Sequence, residues 1–205
     1  MKSIELQPLT EKFIENNKET LDWNLISEHQ ILSEDFIERN ADLVDWYGIM
    51  INQNLSKDFI MRNKDKIDWN YITRRQKLSE GFIERNSDLV NWKNVSQYQK
   101  LSEEFIERNS DLVNWDLISE HQDLSEGFIE RNKNLINWEF VSGHNESLSE
   151  EFMQRNIDLL NLRTVASYQY LSNEFLERNK NIDFIKNFIE KRKAFDIALK
   201  DINIK

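Results

Sequence analysis

The chain has 205 residues and a formal net charge of −10, with 39% hydrophobic and 31% charged residues, Gly 4, Pro 1 and Cys 0. That length and apolar content suit one large or two small folded domains and exclude a disordered chain. The absence of cysteine excludes disulfide and thiolate chemistry, and the acidic balance disfavours a protein that grips nucleic-acid phosphates through a basic face.

The scarcity of Gly and Pro points to helices rather than tight hairpins. The opening "MKSIELQPLTEKF" lacks an apolar run and a small-residue cleavage site, so no signal peptide is expected. No stretch approaches 18 apolar residues, so no membrane span is expected, and an intracellular, cytoplasmic location is the natural expectation.

From Trp23 onward the chain repeats itself. Trp23, Trp46, Trp69, Trp92, Trp115 and Trp138 stand 23 residues apart, and Leu162 and Phe184 continue the column. One residue is inserted near 143–147, and the copy after Phe175 is one residue shorter. A fixed short period marks a solenoid or array. The expected organisation is a single helical-repeat domain over 1–205: a partial or capping repeat at 1–22, tandem repeats at 23–184 and a capping helix at 185–205.

Each copy reads as two short helices. In "LSEEFIERNSDLVNWDLISEHQ", Leu101 to Gln122, the first runs from Ser102 to Asn109. Ser102 suits an N-cap, Glu103 and Glu104 meet the positive helix end, and Leu101 with Ile106 has the spacing of a hydrophobic staple. Phe105 and Ile106 are expected inward, Glu107 and Arg108 outward. Asn109 is expected to stop the helix in a left-handed conformation. The second helix runs from the N-cap Asn114 to Gln122, with Trp115, Ile118 and Gln122 on one face. Helices this short are unstable alone and must stack on neighbouring copies. A leucine-rich repeat lacks support because its strand pattern is missing. Tetratricopeptide and ankyrin units need about ten more residues, and a β-propeller needs strands. The expected fold is therefore all-α, a solenoid of very short helical hairpins with one hairpin per 23 residues.

Comparing copies separates what every unit needs from what one copy adds. Phe36, Phe82, Phe105 and Phe128 belong to a phenylalanine column that begins at Phe13, and together with Trp46, Trp92, Trp115 and Trp138 they are expected to form the scaffold. Asn109 represents an asparagine column at the helix end. Gln122 represents a glutamine column (Gln30, Gln53, Gln76, Gln99, Gln122 and Gln169, with Asn145 as the exception), preferred as a part-buried amide bonded to backbone, the alternative being a ligand-facing ladder. The arginines from Arg39 to Arg178 are expected to pair with an acid of the next copy. His29, His121 and His144 share one position with Asn52, Arg75, Tyr98 and Tyr168, which no metal array would tolerate; they read as residues flanking the core, and no metal site is expected. No phosphate loop, "HExxH" or Ser–His–Asp grouping is present, so neither catalysis nor a cofactor is expected.

Two segments depart from the phrase. "LSKDFIMRNKDKIDWNYITRRQK", 55–77, carries seven basic residues against three acids, a net +4; it reads either as a patch for an acidic or phosphate-bearing partner or as drift on a solvated face. From Phe184 to Lys205 the two-helix phrase gives way to one longer amphipathic pattern. There Phe188, Ile189, Phe195, Ala198, Leu199 and Ile202 are expected to cover the last repeat. A membrane-surface or calmodulin-target helix is the alternative.

The "LSExFIERN" and "WxxIS" elements, over about 9–184, resemble short tandem-repeat proteins of phages, giant viruses and some bacteria. The resemblance implies an intracellular helical repeat. The leading functional expectation is a non-enzymatic module that binds another protein. Its contacts would concentrate at Tyr47, Tyr71, Arg74, Arg75 and Tyr98, since aromatic and arginine side chains anchor interfaces. The alternatives are an acidic nucleic-acid mimic using carboxylates such as Glu103, Glu104 and Glu126, and a structural or self-assembling repeat. Nucleic acid is not an expected partner, and the oligomeric state stays open.

Overall fold

A computed structural model describes residues 7–144 and 148–202. Among them are sixteen helices and no strand. They fall into two compact units, Met1–Val113 and Asn114–Lys205.

In the first unit the first helices of successive hairpins are α1 (Glu11–Asn16), α3 (Glu34–Arg39), α5 (Lys57–Arg62), α7 (Glu80–Arg85) and α9 (Glu103–Arg108). The second helices are α2 (Trp23–His29), α4 (Trp46–Asn52), α6 (Trp69–Arg75) and α8 (Trp92–Tyr98). The second unit holds α10 (Trp115–His121), α12 (Trp138–His144) and α14 (Leu162–Tyr168), which alternate with α11 (Glu126–Arg131), α13 (Glu150–Arg155) and α15 (Asn173–Arg178). It ends in the 20-residue α16 (Asp183–Ile202). Within each unit consecutive second helices pack on one another, α2 on α4, α4 on α6 and α6 on α8, then α10 on α12 and α12 on α14. The chain is thus an all-α helical repeat with one hairpin per 23 residues.

The six- and seven-residue lengths follow from caps placed at both ends. Ser102 Oγ accepts from the Phe105 N–H, as Ser33 does from Phe36 and Ser79 from Phe82. Asp22, Asp45, Asp68, Asn91, Asn114 and Asn161 cap the second helices the same way. These bonds satisfy helix N–H groups that otherwise lack a partner.

The asparagine stop works differently from the expected left-handed cap. Asn109 has φ −112° and ψ 28°, and no described residue has positive φ. Instead Asn109 Nδ2 donates to the carbonyl of Phe105 at 2.9 Å. Its own carbonyl accepts from the N–H groups of Leu112 and Val113. The side-chain amide adds a second donor to a carbonyl that already accepts from the Asn109 backbone N–H, and the helix closes without a left-handed residue.

The core is a set of columns. Phe36, Phe59, Phe82 and Phe105 are 0–3% exposed, as are Ile37, Ile60, Ile83 and Ile106 beside them. Each half-buried Trp lies against the Phe of the following hairpin: Trp23 on Phe36, Trp46 on Phe59, Trp69 on Phe82 and Trp92 on Phe105, with centroids 6.1–6.3 Å apart. In the second unit Trp115–Phe128 and Trp138–Phe152 both stand at 6.1 Å. The inserted residue falls between Trp138 and Phe152, so the stack absorbs it without loss. Phe13 is the exception to its column. It is 48% exposed, because no tryptophan of a preceding copy lies on it.

The C-terminal helix packs on α14. Among its described side chains the most buried is Ile185, 2% exposed, which the sequence pattern did not single out. Phe188 and Ile189 are half-buried, and Phe184 takes the tryptophan place with Arg163 over its ring at 5.9 Å. The expectations at Phe195, Ala198, Leu199 and Ile202 lie outside the described side chains, and Asn145 lies outside the described residues.

Candidate interaction site

The polar columns decide which surface is available. The glutamines form a buried ladder in the first unit. Gln76 Nε2 donates to the carbonyls of Gln53 at 2.8 Å and Met50 at 3.3 Å, while its Oε1 accepts from the Leu55 N–H at 3.1 Å. Gln99 does the same one copy later, donating to Gln76 and Thr73 and accepting from Leu78. Each amide therefore clamps the preceding copy and covers an open carbonyl at the end of its second helix. Gln122 closes α10 in the second unit, its N–H donating to Ile118. At Gln30, Gln53, Gln76 and Gln99 the backbone-bonding reading holds, and the ladder faces inward.

A second buried column escaped the sequence reading. Asp45 N–H donates to Ser27 Oγ at 2.9 Å, Asn91 N–H to Thr73 Oγ1, Asn137 N–H to Ser119 Oγ and Asn161 N–H to Ser142 Oγ. Where Met50 stands in this column, its sulfur takes the Asp68 N–H at 3.0 Å. The recurring "IS" of each second helix was the available signal. The column becomes Ala166 in the last hairpin, where α16 follows instead of another second helix.

The first-helix surface is bound into the stack. Glu34 accepts from both the N–H and hydroxyl of Ser56, Glu80 from the Ser102 N–H, and Glu150 from the N–H and hydroxyl of Ser172. Further along each helix, Glu38 accepts from Arg62 and Asn63, and Glu84 from Arg108 and Asn109. These arginines reach back to the acid of the preceding copy, opposite to the expected direction. Adjacent positions on a helix do not face the same way; in these pairs the glutamate lies toward the following copy and the arginine toward the preceding one. The Arg62 guanidinium holds Glu38 below the usual carboxylate range, and Asn63 adds to the effect. In α13, Gln154 replaces the glutamate and exchanges two amide bonds with Asn179, at 3.1 and 2.8 Å.

The second-helix surface is less uniform: Asn70, Asp116 and Glu139, each just after the tryptophan place, accept from the cap asparagine of the next copy, Asn91, Asn137 and Asn161, but the residue type there changes from copy to copy. The position after tryptophan is Asn24, Tyr47, Asn70, Lys93, Asp116, Glu139 and Arg163 in successive copies; the position two further on is core. The fifth position after tryptophan runs Glu28, Ile51, Arg74, Gln97, Glu120, Gly143 and Ser167. On the first helix the corresponding outward positions are mostly Glu and Arg, with α5 (Lys57, Asp58, Met61 and Arg62) as the exception.

The five interface residues suggested by the sequence lie on α4, α6 and α8 of this variable face. Tyr47 and Tyr71 meet edge-to-face at 4.9 Å, and the Arg74 guanidinium lies 5.2 Å over the Tyr98 ring. Tyr47 is 51% and Tyr98 43% exposed; Arg74 and Arg75 are exposed and Tyr71 is half-buried. The neighbouring Tyr47 phenol raises the Tyr71 pKa above its ordinary value. Other bases of the 55–77 segment work inside the stack: Arg62 on Glu38, Lys57 Nζ on Ser79 Oγ at 2.8 Å, and Lys66 over Trp46 at 5.5 Å.

The acidic candidates do not join this cluster. Glu103 and Glu104 lie on the first helix α9. Glu126, on α11 in the second unit, accepts from the N–H and hydroxyl of Ser149. The histidines are not core-flanking: His29 and His121 are exposed at the ends of α2 and α10, because the sixth position after tryptophan points outward. A further exposed column that sequence reading missed is the turn leucine, with Leu43, Leu89 and Leu112 at 40–46%.

No family model, curated protein or solved structure matches the chain. Among the described residues no helix is long and apolar enough to cross a membrane.

Proposed function

We propose that the chain is a non-enzymatic protein-binding repeat module whose contact face is the outer side of its second helices. The supporting observation is the division between surfaces. First-helix glutamates such as Glu34, Glu38, Glu80, Glu84 and Glu150, with Arg62 and Arg108, make bonds between copies, while second-helix positions vary from copy to copy and expose tyrosine and arginine. A repeat scaffold tolerates such variation because its stability resides in the columns. Tyr47, Tyr71, Arg74, Arg75 and Tyr98 are the anchors.

The nucleic-acid-mimic reading has less support, since Glu34, Glu80, Glu126 and Glu150 hold serines of the following copy. The resemblance of the repeated phrase to phage and giant-virus repeats favours an intracellular viral or phage setting and a host-directed partner.

The test uses the copies as controls. Tyr71→Leu/Arg74→Glu/Arg75→His places the residues of α10 onto α6. Peptides selected from a displayed random library on the full chain should lose binding to this graft. They should keep binding to Glu84→Ala on the first-helix face. Selection of no binder, or binders indifferent to the graft, would count against the proposal.

A further inference from the structure

We propose that the segment received by α4, α6 and α8 is an acidic, carboxylate-rich peptide carrying an apolar side chain, laid across the three helices. This rests on the protein-binding reading above and adds the chemistry of the partner.

Charge complementarity carries it. The first, second, fifth and sixth positions after tryptophan on these three helices, twelve in all, hold Arg74, Arg75 and Lys93 and no acid. On the first helices of the same unit, the equivalent positions hold eleven acids against six bases. A positive strip is therefore set into a molecule of net −10. A carboxylate-bearing segment is drawn to this strip and repelled elsewhere, which fixes where it docks. The N-cap acids nearby, Asp45 and Asp68, already accept from N–H groups of their own helices.

The side chains are also arranged to receive such a segment. Stacking on Tyr98 holds the Arg74 guanidinium in place, which lowers the entropy lost when it grips a carboxylate. Tyr47 and the half-buried Ile51 offer apolar surface beside the cations. Two helix-to-helix steps of about 10 Å span roughly six residues of extended peptide at about 3.3 Å each.

The experiment is fluorescence anisotropy on the full chain with three labelled peptides that share length and apolar residues but are Glu-rich, Ser-rich or Lys-rich, together with a single-stranded oligonucleotide. The Glu-rich peptide should bind at least about tenfold more tightly than the Ser-rich one, and added salt should weaken it. The Tyr71→Leu/Arg74→Glu/Arg75→His graft should reduce its affinity at least about tenfold. Arg74→Gln, one exposed change, should weaken it in the same direction and serves where the graft fails to fold. Equal binding of the Ser-rich peptide, unchanged binding by Arg74→Gln, or an oligonucleotide that competes as well as the Glu-rich peptide overturns the proposal. A dimer by light scattering that the graft dissolves would make a second copy's acidic surface the occupant and overturn it too. Library binders that are neutral yet depend on the graft would sink the acidic partner while leaving the protein-binding reading intact. No face-dependent binder of any kind would sink both.

Discussion

Gln76 donates from Nε2 to the backbone carbonyl of Gln53, 23 residues earlier, at 2.8 Å, and both side chains are buried. The same amide group accepts from Leu55 N–H. Gln76→Leu keeps approximate volume but leaves that N–H and the carbonyls of Gln53 and Met50 without their partner. A buried unpaired group costs about 1–3 kcal/mol, so we expect a loss of about 3 kcal/mol, read as a lower urea midpoint.

The aromatic stack should be equally intolerant. Phe82 is 3% exposed and lies 6.3 Å from Trp69. Phe82→Ala should cost about 3–5 kcal/mol through lost burial and the cavity left behind. Phe13→Ala, at the exposed end of the same column, should cost much less; equal losses by thermal unfolding would contradict the stack as described.

The asparagine cap gives a prediction of opposite sign to the usual rule. At a left-handed cap glycine is the better residue. Asn86 has φ −119° and its Nδ2 donates to the Phe82 carbonyl at 2.8 Å. Asn86→Gly should therefore destabilise by about 1–2 kcal/mol, and stabilisation in urea unfolding would show the cap to be misread.

Glu38 supplies a pH signature. Its folded pKa lies below the ordinary 4.5, chiefly through Arg62. The unfolded chain then binds the proton more readily than the folded one. The contribution is fully present above about pH 4.5 and fades as pH falls through the lowered folded value. Glu38→Gln should flatten the acid limb of stability against pH, measured by chemical unfolding between neutral and acid pH. An unchanged acid limb would remove Glu38 from the network.

Much of this was legible in the sequence because repetition separates what every unit needs from what one copy adds. The 23-residue tryptophan period fixed the hairpin, and Ser102, Asn114 and Gln122 marked its caps within a residue. The asparagine cap was misjudged because residue type suggests a left-handed turn, whereas only geometry shows the amide folding back onto Phe105. The arginine direction and the Glu–Ser bonds depend on which neighbouring copy each helix position faces, which spacing alone does not convey. Tyr47, Tyr71, Arg74 and Tyr98 were legible as departures. Their pairing was not, since it needs the packing of α4, α6 and α8 side by side.

The division between a structural first-helix face and a variable second-helix face is tested most directly by equilibrium urea unfolding of two full-length variants. In Glu34→Ala/Glu80→Ala the N–H groups of Ser56 and Ser102 lose their acceptors, and stability should fall by about 1 kcal/mol per site. Arg75→His, an exposed change on the second-helix face, should leave the midpoint where it is in the parent chain. An Arg75→His chain that unfolds as early as the Glu34/Glu80 double variant, or earlier, would contradict the division of the two faces.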